Sequence, residues 1–424
     1  MSAPLKAERC AGGTMPRPSR RVLSVVCGAF LVTRVITVLA GSLGLRQQPG
    51  ATSPGNLWVA AGRLWDGGWY MSLARDGYQA IRVRDGGPLA FPPLLPVLVR
   101  ALAAGLRALG IKAGGTDEGT VALAGLLISN VAFGLALVVV WYLVWRDHPA
   151  AVADRTVWLL AAFPLGVFWS AVYTESLFLL LTVSCVLAAR QGQWPSAGLL
   201  GALAVLTRWP GILLLAVLLT EWVAQARVPS PGGLAGTRIA LTARAGRALG
   251  WIGLLPLTLG SYMGYLQIRF GNGFGMIQAH AAGWREGLSF FPGTYSEGVS
   301  RLWQHLTQMG TERELVRHWG RGSSVYMWLD LGLPLLFAGL GVLGWRRAWL
   351  RPSDLLWLGL GISFALSWNT TLSVGRYMMP LWPALIVGAR LCVAHPALER
   401  IWLAGAGTLL ALTAYLFAHW QWIG

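Results

Sequence analysis

Residues 118–144 read EGTVALAGLLISNVAFGLALVVVWYLV, and after Glu118 no charged residue occurs before Arg146. A helix that is apolar all round has no face for water. About 20 such residues cross a hydrocarbon core of about 30 Å. Runs of the same kind recur from Arg21 to the C-terminal end. Of the 424 residues, 55% are hydrophobic and 12% charged, against roughly 25% charged in a soluble domain. Mean hydropathy is +0.55. A globule of this length lacks the interior to bury all these runs, so the sequence describes an all-α polytopic membrane protein with about 11 spans.

The net charge of +17 does not indicate nucleic acid, because the basic residues sit between apolar runs rather than on one soluble face. Of the cysteines, Cys27, Cys185 and Cys392 lie inside apolar runs, and Cys10 lies before them. None stands at metal-ligand spacing, so neither a disulfide framework nor a bound metal is expected. Arg17, Arg20 and Arg21 precede an apolar run from Val22 to Leu45. That run exceeds the roughly 7–15 residues of a signal h-region and reads as an uncleaved first span.

Taking residues 1–21 as a basic cytoplasmic N-terminus, residues 22–424 form one multispan domain. Spans are expected at 22–45, 118–144, 156–172, 176–189, 195–207, 210–225, 248–270, 325–344, 354–368, 377–393 and 401–420. Long outer segments then occupy 46–117 and 271–324. Within the first, 57–80 reads as an amphipathic helix on the interface, and 90–110 is apolar enough to dip into the membrane. The basic loops 226–247 and 345–353 both land inside, as positive-inside topology requires.

On this topology the unusual polar sequences share one outer face: Trp65-Asp66-Gly67-Gly68-Trp69-Tyr70, Tyr173-Thr174-Glu175-Ser176, Thr207-Arg208-Trp209, Gln278 to Glu286, and Gly375-Arg376-Tyr377. Ionisable groups near membrane depth are costly, so their convergence describes a pocket. Asp66, between Trp65 and Trp69, has two readings. It is a general base whose pKa is raised by burial, or an N-cap or solvated loop acid between interfacial tryptophans. Gly67 and Gly68 let another group approach the backbone. Glu175 either orients a substrate hydroxyl or pairs with Arg208 or Arg376, or it complements the dipole of the helix it opens, with Thr174 as cap. Arg208, Arg285 and Arg376 are either phosphate clamps or snorkelling side chains at helix ends. Arg34 lies deeper in the first span and needs an acid or a cavity. His280 lines the pocket or caps a helix. With no D-x-D, P-loop or Rossmann fingerprint, no nucleotide-sugar site is visible.

At these motifs the sequence resembles the PIG-V mannosyltransferase family, in particular its actinobacterial-type members. The likeness is carried by Leu64 to Tyr70, Ala74-Arg75-Asp76-Gly77-Tyr78, Ala90 to Pro96, Phe163-Pro164, Ala171 to Phe178, Leu206-Thr207-Arg208 with Gly211, Gln278 with Trp284-Arg285, and Arg376-Tyr377. Pro93 and Leu95 depart from it, where the family usually reads like FFPLYP. The resemblance implies a GT-C fold and a lipid-linked donor, plausibly polyprenyl-phosphate-mannose. It also implies an acceptor hydroxyl on a lipid, glycan or protein, with no cofactor and Asp66 as base. Trp65, Trp69, Tyr70, Tyr173, Glu175, Arg208, Gln278, His280, Arg285, Arg376 and Tyr377 would then bind substrate. A transporter or flippase of an anionic lipid-linked substrate is the rival reading. It calls for paired broken helices in the two halves, and the sequence offers one break, near Pro210.

Overall fold

The computed structural model describes residues 19–47, 54–78, 87–229, 237–239, 242–283, 287, 289, 291–308, 324–368 and 370–423. The chain opens with the long apolar helix α1 (Arg20–Arg46), and α2 (Pro54–Arg63), α3 (Gly67–Asp76) and α4 (Leu94–Ala108) follow. Next come α5 (Asp117–Trp145), α6 (Ala150–Ala161), α7 (Glu175–Arg190), α8 (Trp194–Val205) and α9 (Leu214–Ala226). After a short antiparallel hairpin, Arg227–Pro229 with Thr237–Ile239, the chain forms α10 (Ala243–Ile252), α11 (Leu254–Phe270), α12 (Gly275–Gly283) and α13 (Phe291–Gln308). The remaining helices are α14 (Ser324–Arg346), α15 (Pro352–Ala365), α16 (Val374–Met378), α17 (Trp382–Ala394) and α18 (Pro396–Ala418).

Among the described residues, five helices are long and apolar enough to cross a membrane: Arg20–Arg46, Asp117–Trp145, Trp209–Ala226, Tyr326–Arg346 and Pro396–Ala418. Trp194–Val205 and Trp382–Ala394 are apolar but shorter. α1 turns Leu31, Val35, Val38 and Leu39 outward and buries Val22, Val26, Ala29 and Thr33. An apolar outer face of this kind is stable against lipid and costly in water. α5 starts where Thr116 Oγ1 accepts from the Gly119 N–H at 2.9 Å, with Asp117 and Glu118 in the first turn. This cap is followed by acids that suit the positive end of the dipole. α1 lies along α18, where a Cβ on Gly44 would sit 2.4 Å from the Tyr415 carbonyl. α5 and α7 pack side by side at the centre, flanked by α2, α4, α6 and α8.

Several expected spans are interrupted. The run 156–172 is helical only to Ala161; it then turns at Phe163-Pro164 and continues as a 3-10 turn, Gly166–Trp169. The run 248–270 breaks at Gly253 into α10 and α11. The run 377–393 is the end of α16, a bend through Pro380, and α17. Proline removes a backbone donor and clashes with the preceding turn, which accounts for the bends at Pro164 and Pro380. Within the segment 57–80, whose residues 79 and 80 lie outside the described residues, the chain forms two helices, α2 and α3, separated at Leu64 to Asp66, and 90–110 holds α4. The break between the runs 195–207 and 210–225 falls at Arg208, as its Trp-Pro-Gly sequel suggests.

Candidate active site

Asp66 sits in the turn between α2 and α3. Trp65 before it adopts a left-handed backbone, φ 51°. Gly67 after it is required sterically, because a Cβ there would lie 2.4 Å from the Gly62 carbonyl. The group that glycine admits is therefore the chain's own backbone. The Asp66 N–H donates to the Tyr173 hydroxyl at 2.9 Å. Asp66 occupies the cap position of α3, but its side chain makes no cap bond. Its Oδ2 instead accepts from Arg376 Nη1 at 3.1 Å.

Glu175 opens α7 and is 1% exposed. Its Oε1 accepts from Arg208 Nη1 at 2.6 Å and from Arg376 Nε at 2.5 Å. Its Oε2 has no partner among the described residues. Thr174 makes no cap bond; its hydroxyl lies 3.4 Å from that of Tyr70. Two arginines from two helix breaks thus converge on one carboxylate oxygen, and one of them also reaches Asp66. Arg376 is presented by α16, whose Gly375 N–H donates to Asp330 Oδ1 at 2.5 Å. The Arg376 guanidinium lies over Tyr173 and Phe168, 5.0 and 5.1 Å from their centroids. Arg208 lies 4.9 Å from the Tyr377 ring.

Several of these groups border a cleft of about 720 Å³, its open mouth included. Asp66, Tyr70, Arg208, His280, Arg376 and Tyr377 line it, with Phe91, Pro92, Thr207, Trp209, Phe364, Trp368 and Trp422 among their neighbours. His280 stands between two indoles, 5.3 Å from Trp209 and 5.2 Å from Trp368. A smaller apolar recess adjoins the cleft and shares Arg208, Pro210, Phe364 and Tyr377 with it; Phe178, Leu213, Trp357 and Leu381 complete its wall. Burial raises the Asp66 carboxyl above the ordinary carboxylate range, with Arg376 opposing the shift. The desolvated anion loses more from missing water than it gains from its cation.

Other residues singled out in the sequence fall nearby. Tyr173 and Glu175 form the layer behind the cleft wall. Trp65 packs edge-on against Trp422 with centroids 5.0 Å apart, and Trp69 stacks on Phe91 at 6.1 Å. Gln278 is exposed and accepts from Asn272 Nδ2 at 2.8 Å, away from the cleft lining. Arg285 lies outside the described residues. Arg34 finds no acid among the described residues; it donates to Ser170 Oγ at 2.6 Å and lies 4.9 Å from the Phe133 ring. Trp368 and Trp422 border the cleft without any sequence signal beyond their size, since a tryptophan in a membrane protein reads first as an interface anchor.

Residues 53–228 match the family model described as Mannosyltransferase (PIG-V). The matched segment carries Trp65, Asp66, Trp69, Tyr70, Tyr173, Glu175 and Arg208; Arg376 and Trp422 lie beyond it. Over 176 residues the chain is 34% identical to GPI mannosyltransferase 2 of Chaetomium globosum, covering 38% of this chain and 36% of that protein. The likeness therefore spans about a third of the relative's length. Two structures of the Archaeoglobus fulgidus oligosaccharyltransferase are similar over most of this chain. One is AglB in complex with an inhibitory peptide and a dolichol-phosphate; it aligns with 96% of this chain and 56% of its own, at 14% identity and a TM-score of 0.46. The other, in the apo form, aligns with 95% and 56%, at 13% identity and a TM-score of 0.49.

Proposed function

We propose that the protein is a GT-C-type membrane mannosyltransferase. It moves mannose from a polyprenyl-phosphate-linked donor to an acceptor hydroxyl on the extracytoplasmic face, the N-terminus being cytoplasmic. The PIG-V match supports the reaction class. The observation that carries the mechanism is the Asp66–Arg376–Glu175–Arg208 chain, in which Asp66, Arg208 and Arg376 line the cleft and Glu175 lies directly behind them.

The step is a single displacement. The acceptor oxygen attacks the anomeric carbon, its proton passes to Asp66 Oδ, and the bond from that carbon to the phosphate oxygen breaks. Polyprenyl phosphate leaves with the electron pair, and the configuration inverts. Before reaction the two arginines balance Asp66 and Glu175, leaving the donor phosphodiester as the surplus negative charge. As Asp66 takes up the proton, the leaving phosphate gains one more negative charge. The charge lost at Asp66 is thus regained beside the arginines, where fixed guanidinium donors stabilise it without reorganising. Arg208 is the residue we assign to the donor phosphate, because it joins the polar cleft to the apolar recess. An isoprenoid chain that widens this recess as it enters would bring its phosphate to Arg208.

The test is transfer by the purified protein in liposomes, with radiolabelled polyprenyl-phosphate-mannose and a membrane lipid extract as acceptor. Wild type is expected to transfer mannose. Asp66→Asn keeps size and hydrogen bonding but removes the base, and is expected to lose at least about a hundredfold. Equal transfer by both removes Asp66 as base. No transfer by folded wild type removes the reaction itself.

A further inference from the structure

Two tryptophans beside the cleft hold a left-handed backbone, Trp65 at φ 51° and Trp420 at φ 60°. Bulky residues avoid this region, and it persists only where the surroundings over-determine it, commonly at functional sites. At Trp420 the cause is the end of α18. The Trp420 N–H donates to the Phe417 carbonyl at 3.2 Å and the Gln421 N–H to the Leu416 carbonyl at 2.9 Å. This is a helix stop that usually carries glycine in the left-handed place. Here an indole occupies it and packs on the other left-handed residue, with Trp65 and Trp420 centroids 5.4 Å apart. The Trp65 indole N–H also donates to the Phe417 carbonyl at 3.4 Å.

The turn at Trp420 sends the chain back over the cleft. Trp422, 8% exposed, then lies against Trp65 at 5.0 Å and 6.0 Å from the Arg376 guanidinium. Arg376 is therefore enclosed by aromatic rings, Trp422 joining Tyr173 and Phe168, while its edge nitrogens reach Asp66 and Glu175. One left-handed tryptophan immediately precedes Asp66, and the other aims the ring that packs on the partner of Asp66. We infer that Trp422 is a positioning residue: held by Trp65 and Trp420, its ring fixes the Arg376 guanidinium between the carboxylates of Asp66 and Glu175. The inference rests on the cleft being the transfer site, but its test does not need turnover.

Of the two carboxylate contacts that Arg376 makes among the described residues, that to Asp66 is the longer, at 3.1 Å against 2.5 Å to Glu175. With Trp422 removed, the guanidinium settles on Glu175 and leaves Asp66 without its cation. The ionisable groups around Asp66 are Arg376 on α16, Arg208 before α9, Glu175 on α7 and the phenols of Tyr70 and Tyr173. Of these, Arg376 is the cation that the ring holds.

The experiment is an infrared pH titration of the full chain in nanodiscs. It follows the carboxyl band that disappears in Asp66→Asn. Trp422→Ala is expected to raise the midpoint of that band by about one pH unit, a tenfold weaker hold on the anion. Trp422→Phe, which keeps an aromatic face on Arg376, is expected to stay within a few tenths of a unit of wild type. In the transfer assay Trp422→Ala should lower kcat about tenfold with the donor KM nearly unchanged, and Trp422→Phe should restore it. A folded Trp422→Ala protein whose midpoint is unmoved or lowered overturns the inference. If Trp422→Ala does not fold, Trp422→Leu provides the same comparison with the same two outcomes. Absence of transfer in wild type counts against the proposed reaction, while the infrared midpoint still decides the role of Trp422.

Discussion

One helix, α7, begins at Glu175 and ends at Arg190, and each end anchors a buried ionic network. At the Arg190 end all three guanidinium nitrogens are engaged. Nε donates to Glu221 at 2.9 Å, Nη1 to Asp147 at 3.3 Å, and Nη2 to Asp354 at 2.6 Å and Ser353 Oγ at 3.3 Å. Arg351 adds bonds to Asp147, and Ser353 donates to Glu221 at 2.5 Å. At the Glu175 end two arginines share one carboxylate oxygen, the other oxygen has no partner among the described residues, and both arginines line an open cleft in front of it. The first arrangement is closed on itself and ties α7 to α9, α15 and the α5–α6 turn. The second keeps donors turned toward space. Similar residues form a saturated knot in one place and the proposed transfer site in the other, and the distinction lies in saturation and access rather than in charge. It also argues against reading every buried arginine in a membrane protein as a substrate clamp.

The comparison is broken most severely from the closed end. Arg190→Met leaves Asp147, Glu221 and Asp354 with Arg351 as their nearest cation, and should cost about 3–5 kcal/mol of stability. It is read as a lower thermal midpoint in detergent, with transfer per folded molecule unchanged. A folded Arg190→Met protein that has lost transfer would show the two networks to be coupled and the contrast wrong. At the open end Glu175→Gln should invert the pattern, with transfer down about a hundredfold and the thermal midpoint moving far less than in Arg190→Met. Next in size is the pH profile. The Asp66 carboxyl is raised by burial, and the proposed mechanism needs it unprotonated. Transfer is therefore complete above that raised value and is lost as pH falls through it, beginning above the ordinary carboxylate range near 4. In Asp66→Asn the residual rate should be level over the same interval. Smallest is the exposed pair Arg21–Asp154, 2.6 Å apart with Arg21 more than half exposed. Arg21→Ala should cost under about 1 kcal/mol, measured by the same melting experiment.

Sequence reading located the helices well where length and absence of charge were decisive. The run 118–144 is α5 to within a residue at each end, and 22–45 is α1 nearly to its ends. It misjudged runs in which apolar composition continues through a break. Residues 156–172 stay hydrophobic past Ala161, yet Pro164 ends the helix; 377–393 contains Pro380 in the same role. Hydropathy does not register a bend, whereas proline chemistry does. For the site, the motifs around Asp66, Glu175, Arg208 and Arg376 were legible because charge is rare in this chain. The pairing of Glu175 with Arg208 or Arg376 is among the readings the sequence offers, and both contacts are present; the contact of Asp66 with Arg376 is not among those readings, since the two are 310 residues apart. The Arg190 network is hidden for the same reason: Arg190 directly follows the expected span 176–189, and its partners come from three other segments. Trp422 gave no signal, because its role depends on the backbone turn at Trp420.

The short helix α8 bears on how deep in a membrane the proposed reaction would take place. From Trp194 to Val205 it rises about 16 Å at 1.5 Å per residue, about half of a hydrocarbon core of about 30 Å. A helix this short, set along the membrane normal with its first turn at one surface, would leave Arg208, three residues past its other end, beneath the opposite lipid head groups. A lipid-borne phosphate would then reach the cleft by sinking and moving sideways. Membrane thickness would become a variable of the reaction: lipids with shorter acyl chains would bring the head-group plane down toward Arg208, and longer ones would lift it away.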